Sequence, residues 1–99
     1  MKLIELNIRK IHEICKKYNV RNLYAFGSIL TPAFSEQSDI DLLVNFLEDK
    51  ISDPFSNFFD FIYEMQDLLG RKIDLVDESA ITNTIFRNNL LSSRQLIYG

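Results

Sequence analysis

Ser38-Asp39-Ile40-Asp41-Leu42-Leu43-Val44-Asn45-Phe46 is the stretch on which the fold turns. In an extended strand, alternate side chains share a face, so Ile40, Leu42 and Val44 fall on one side and Asp39, Asp41 and Leu43 on the other. Past Asp41 both faces are apolar, which reads as a strand that runs from a charged mouth at residues 39–41 into a buried interior. Just upstream, Leu23-Tyr24-Ala25-Phe26 is a short buried strand stopped by Gly27. Residues 27–38 form a turn-rich connection with room for one helical turn. Further upstream, Ile4, Ile8, Ile11, Cys15 and Tyr18 recur at steps of four and three and predict a leading helix that ends at Asn19.

Downstream of the central strand the punctuation is equally plain. Asp53-Pro54 is a helix start, a capping carboxylate followed by proline at the first helical position. Phe55, Phe58, Phe59, Ile62, Met65 and Leu69 are the expected apolar stripe of that helix, and Gly70 is its stop. The cluster Phe55, Phe58, Phe59, Phe61 and Ile62 reads mostly as core; Phe61 lies off the main stripe, and the lesser reading is that with Leu68 it widens the apolar surface into a partner-binding patch. Lys72 to Val76 is a third strand. A last helix is expected near residues 80–91 with Ser79 as its cap, and Gln95 to Tyr98 as a short edge strand. Helix, strand, strand, helix, strand, helix predicts an α/β (α+β) sandwich, a small mixed β-sheet flanked by helices, in one domain over residues 1–99.

Composition narrows the functions. The 99 residues are 46% hydrophobic, with 8 Phe and 4 Tyr, enough apolar surface to exclude intrinsic disorder. The net charge of −3 disfavours general nucleic-acid binding. No apolar run reaches membrane-spanning length, and the opening Met1-Lys2-Leu3-Ile4-Glu5 is not read as a secretory leader. One cysteine cannot form an internal disulfide, which fits a cytoplasmic protein. A domain this small buries only about two thirds of its unfolded surface, so a bound partner or self-association into a homo-oligomer is expected to help it.

The chemistry centres on Asp39 and Asp41. Two carboxylates on one strand face repel and raise each other's pKa unless a cation neutralises them. Oxygen-rich sites of this kind suit Mg2+, which takes one or two carboxylates and completes its shell with water or phosphate. An acid-x-acid triplet alone is weak evidence, since one is expected roughly once in a chain of this composition. Its context is less common. Gly27 lets backbone approach a ligand closely, and the Ser28 hydroxyl and the amides after it can meet phosphate oxygens. Asp74, between Ile73 and Leu75, is expected inside a strand core, where an acid is costly. If the third strand neighbours the second, Asp74 sits beside Asp41. His12 reads as a solvated surface histidine, Cys15 as a buried hydrophobe, and Glu64 and Asp67 as a solvated helix face. No Lys or Arg lies between Asn22 and Asp49, so phosphate charge would fall to Lys50, Arg71, Lys72, Arg87 or Arg94.

Phe26-Gly27-Ser28, then Ser38 to Val44, then Lys72-Ile73-Asp74-Leu75-Val76 resembles the minimal nucleotidyltransferase (MNT) family, within the DNA polymerase beta-type nucleotidyltransferase superfamily. The resemblance covers nearly the whole chain. It implies a mixed sheet flanked by helices, with Gly27 and Ser28 holding the triphosphate of ATP. It implies Asp39 and Asp41 as Mg2+ ligands, joined at the metal site by Asp74, which also helps activate the acceptor hydroxyl. The implied reaction is Mg2+-dependent transfer of AMP from ATP with release of pyrophosphate. Relatives of this length are antitoxins of helical HEPN-type RNase toxins, so the expected partner is such a toxin. Two other readings stay open at this stage: a weak or inert module of the same fold that neutralises by contact, and a domain that adenylylates a small molecule.

Overall fold

The leading helix is broken where the sequence pattern predicts continuity. The computed structural model, which describes all 99 residues, has α1 over Lys2–Leu6 and α2 over Ile8–Lys17. Asn7 between them has φ −115° and ψ 12°, and its side-chain amide donates to the Leu3 carbonyl at 2.8 Å. An Asn side chain competes with helical backbone bonding in this way. The break turns Ile8 toward solvent and leaves Ile4, Ile11 and Cys15 buried. Burial pushes the Cys15 thiol up to about 12, so it stays protonated and unreactive. Asn19 follows in the left-handed conformation, φ 57°, and turns the chain into the sheet.

Strands β1 (Val20–Phe26), β2 (Ile40–Phe46), β3 (Ile73–Asp77) and β4 (Gln95–Tyr98) form one sheet in the order β3-β2-β1-β4. β2 and β3 are parallel, while β1 is antiparallel to both β2 and β4. The parallel pair needs a crossover, which α3 (Pro54–Leu69) supplies. Asp53 caps α3 by accepting from the Ser56 amide at 3.2 Å, and Gly70 ends it at φ 64°. Leu23, Ala25, Ile40, Leu42, Val44, Ile73 and Leu75 build one apolar core with Ile11 and Cys15 of α2 and Phe61, Met65 and Leu69 of α3. On the opposite face Leu43 is also fully buried. There α4 (Thr84–Ser93) ends at Arg94, whose guanidinium stacks on Tyr24 at 3.8 Å and pairs with Glu78 at 2.7 Å.

Several expectations shift. Of the two readings of Phe61 the core one holds: it is fully buried, packed edge-on against Tyr18 and Phe46 with ring centroids 6.1 and 6.0 Å away. The exposed aromatics of α3 are Phe55, Phe59 and Tyr63, so two residues of the expected stripe, Phe55 and Phe59, face solvent. The last helix starts later than expected, capped by Asn83 rather than Ser79. His12 is half-buried, with Nε2 2.9 Å from the Ile97 carbonyl and its ring edge-on to Tyr98. Glu64 ties α3 to α2, accepting from the Tyr18 hydroxyl and pairing with Lys17 at 3.0 Å. Both partners hold its carboxyl below the usual range.

These positions predict opposite outcomes for two phenylalanines of one helix. Phe61→Ala is expected to cost about 3–5 kcal/mol through the cavity it leaves. Phe55→Ala is expected to stay within about 0.5 kcal/mol. Urea unfolding of both variants checks this, and equal costs would contradict the assignment of the two faces.

Candidate active site

Strand register brings the predicted residues to one end of the sheet. Phe26 at the end of β1 pairs with Asp41 near the start of β2, and Asp41 pairs with Asp74 near the start of β3. Gly27 therefore stands against the Asp41 side chain. A Cβ placed on Gly27 would lie 2.4 Å from Asp41 Oδ2, and Gly27 has φ +75°, so the position excludes a side chain on both counts. Residues 27–30 then form a single 3-10 turn, closed at Thr31, whose amide and hydroxyl both donate to the Ser28 carbonyl at 2.9 Å.

The electrostatics of this end are unfavourable as they stand. Asp41 is half-buried, and its carboxyl is held above the usual aspartate range. Desolvation is the main cause, followed by the charges of Asp74 and Asp39, and by a hydrogen bond with Asp74 that forms when one of the two is protonated. Asp74 itself is exposed, contrary to the expectation of a buried acid, because β3 is an edge strand and its N-terminal end is open to solvent. Burial cost therefore says nothing about its role. What remains is its register beside Asp41. Asp39 lies just before β2, with Lys72 Nζ 3.9 Å from its Oδ2.

The positive groups divide by position. Lys50 follows the far end of β2 and stands away from the carboxylates. Arg87 and Arg94 both pair with Glu78. Arg71 is at the right end but already engaged: it donates to the carbonyls of Ser35 and Ser38, the latter at 2.7 Å, and stacks on Phe34 at 4.7 Å. It clamps the loop between Gly27 and Asp39 onto the start of β3. Nothing in the sequence pairs residues 33 to 36 positions apart, so this clamp was not legible there. Lys72 is the one cation paired with a site carboxylate.

Residues 9–99 match the family described as polymerase beta, nucleotidyltransferase. The chain belongs to that family. It is 38% identical over 92 residues to a Methanocaldococcus jannaschii chain named as a protein adenylyltransferase, covering 92% of this chain and 89% of that one. It is 30% identical over 86 residues to the protein adenylyltransferase MntA of Thermococcus cleftensis, covering 87% and 81%. It also superposes, at a TM-score of 0.66 and 22% identity, on a chain in the complex of a tri-AMPylated HEPN toxin of Shewanella oneidensis with its MNT antitoxin, covering 96% of this chain and 71% of that one.

The carboxylates of this nucleotidyltransferase fit a divalent cation bound together with a phosphate-bearing ligand. No three His, Cys, Asp or Glu side chains converge into a cage that would hold a metal alone. An Mg2+ site does not require one, because it draws part of its shell from substrate phosphate and water. The crowding of Asp41 against Asp74 is the kind that a cation relieves. The largest cavity, about 700 Å³, lies at the opposite end of the sheet and is lined by Phe46, Phe55, Phe58 and Leu75. It is not part of this site.

The raised Asp41 carboxyl sets a pH dependence. Folding favours its protonated form, so its ionisation is a cost that is absent below the ordinary aspartate range and grows as pH rises through the raised value. Asp41→Asn is expected to melt above the metal-free wild type near pH 8, the two converging near pH 4. Thermal melts at both pH values check this. A variant no more stable than wild type at the higher pH would show that the carboxylates do not strain the fold.

Proposed function

We propose that this nucleotidyltransferase transfers AMP from ATP to a hydroxyl of a protein partner, and that the partner is a helical HEPN-type toxin that it neutralises in the cytoplasm. The observation that carries this reading is the register of Asp41 against Asp74 beside Gly27. Both adenylyltransferase relatives and the AMPylated toxin complex support the choice of donor and acceptor. An Mg2+ ion held by Asp39 and Asp41, with Asp74 beside it, would supply charge neutralisation at the phosphates. Gly27 and Ser28 would hold the triphosphate on the turn amides, with glycine at position 27 leaving room for the Asp41 carboxylate beside them.

Asp74 accepts the proton of the attacking hydroxyl as its oxygen bonds to the α-phosphorus. The bond from that phosphorus to the oxygen bridging to the β-phosphate breaks, and pyrophosphate leaves with the electron pair. Solvent exposure suits this role, since an acceptor side chain on another protein must reach the carboxylate. The crowding of Asp41 against Asp74, which a bound cation would relieve, favours an active site over an inert one.

Two measurements test the assignment. Calorimetry with Mg2+ and a non-hydrolysable ATP analogue is expected to show binding that Asp41→Asn weakens; an unaffected variant would remove Asp41 from the site. Asp74→Asn keeps shape and loses the base. It is expected to bind nucleotide as wild type does while transfer to the co-expressed partner slows by about 10²–10⁴. Wild-type transfer by this variant would overturn the role given to Asp74.

A further inference from the structure

We propose that the apolar groove between the first turns of α3 and the C-terminal ends of β2 and β3 is the docking site for a basic amphipathic helix of the protein partner. This deepens the partner half of the function proposed above and rests on it. The groove holds about 700 Å³ and is walled by Phe46, Ile51, Phe55, Phe58, Phe59 and Leu75. Phe55 is 73% exposed, a large ring with nothing of this chain to cover it. Yet the wall is rigid. Phe55 packs on Phe59 with centroids 4.8 Å apart, Phe59 on Phe58 at 5.3 Å, Phe58 on Phe46 at 6.4 Å and Phe46 on buried Phe61 at 6.0 Å. Rings tied in series to the core hold the groove open without a ligand, so little ordering is needed on binding.

Charge decides the occupant. Glu48 and Asp77 line the groove, and Asp49 and Asp53 flank it in the adjoining loop, against Lys50 alone. A collar of carboxylates repels a triphosphate, a nucleic-acid backbone and an anionic membrane alike. It favours an apolar ridge edged with Lys and Arg, and a trough between a helix and strand ends is the shape that accepts an amphipathic helix. A second copy of this chain is the rival, since α2 carries Arg9, Lys10, Lys16 and Lys17. That helix has no apolar face to offer, because its Ile11 and Cys15 are fully buried in its own core.

Phe46, at the far wall of the groove, lies five residues along β2 from Asp41, about 17 Å. A partner held there presents a different part of its surface to the carboxylates, so holding and modifying the partner are separable. The test uses fluorescence anisotropy with two synthetic helices that share one apolar stripe, the polar face being Lys/Arg in one and Glu in the other. The basic helix is expected to bind and to weaken with added salt. Phe55→Ala/Phe59→Ala, exposed positions that leave the core intact, is expected to weaken it at least about tenfold. Equal binding of both helices, or no binding, overturns the groove, as does self-association of the chain through it in sedimentation.

A second arm co-expresses the chain with a candidate helical HEPN-type toxin. Asp41→Asn is expected to keep the complex and the double Phe variant to lose it. A wild type that forms no complex sinks the partner reading and this inference together. A double Phe variant that binds as wild type does sinks the groove alone.

Discussion

The parallel pairing of β2 with β3 is the constraint on which the rest of this molecule depends. It sets Asp41 opposite Asp74 in register, and the alternation of a strand puts both on the same face. The other face of these strands is apolar throughout: Ile40, Leu42, Ile73 and Leu75 belong to the core that α2 and α3 cover. A slip of one residue in either strand would bury a carboxylate and expose a leucine. The core thus enforces the site. The hydrophobic contacts that fix the register are what hold two like charges side by side.

The local cost is contained by neighbouring backbone. Gly27 can be nothing larger, because its Cα faces the Asp41 carboxylate and its φ lies in the left-handed region. Lys72 approaches Asp39, and the Ile40 amide donates to the Lys72 carbonyl at 2.9 Å, so the mouth of β2 is stitched to that of β3. Arg71 adds the third tie by pinning residues 35 and 38. The long connection after Ser28 is thereby anchored at its C-terminal end, and the Thr31 hydroxyl, donating to the Ser28 carbonyl, ties its start.

Much of this was legible in the sequence because the informative features are local. Alternation in residues 39–46, the Asp53-Pro54 start and the Gly70 stop each depend on neighbours within one element, and each stands as read. The features that were misread depend on distant partners. Phe55 and Phe59 were placed on the buried stripe because a helical period does not show which turns the sheet covers, and both are exposed. Asp74 was taken for a buried acid because strand order, and so the edge position of β3, is not written in β3 itself. His12 was assigned to solvent because the carbonyl it meets is 85 residues away. The break at Asn7 was within reach of local reasoning, since Asn inside a helical pattern carries a side chain able to replace a backbone bond.

The scarcity of free cations around Gly27 has a consequence for how a nucleotide enters. Asp39, Asp41 and Asp74 gather three carboxylates at one end of the sheet, and Lys72 offsets part of one. Arg71, which on charge alone would be the natural phosphate ligand, is spent on backbone carbonyls. A triphosphate approaching such a site meets repulsion rather than attraction. A divalent cation meets the reverse, and each ion bound lowers the barrier to the next phosphate oxygen. Under the proposed reading, metal and nucleotide are therefore coupled ligands, each weak without the other. On that reading the strain held in the metal-free carboxylates works in the same direction, because the first cation to bind would relieve it. A site built this way would discriminate against bare nucleotides and against phosphates that carry no metal, with no side chain dedicated to excluding them.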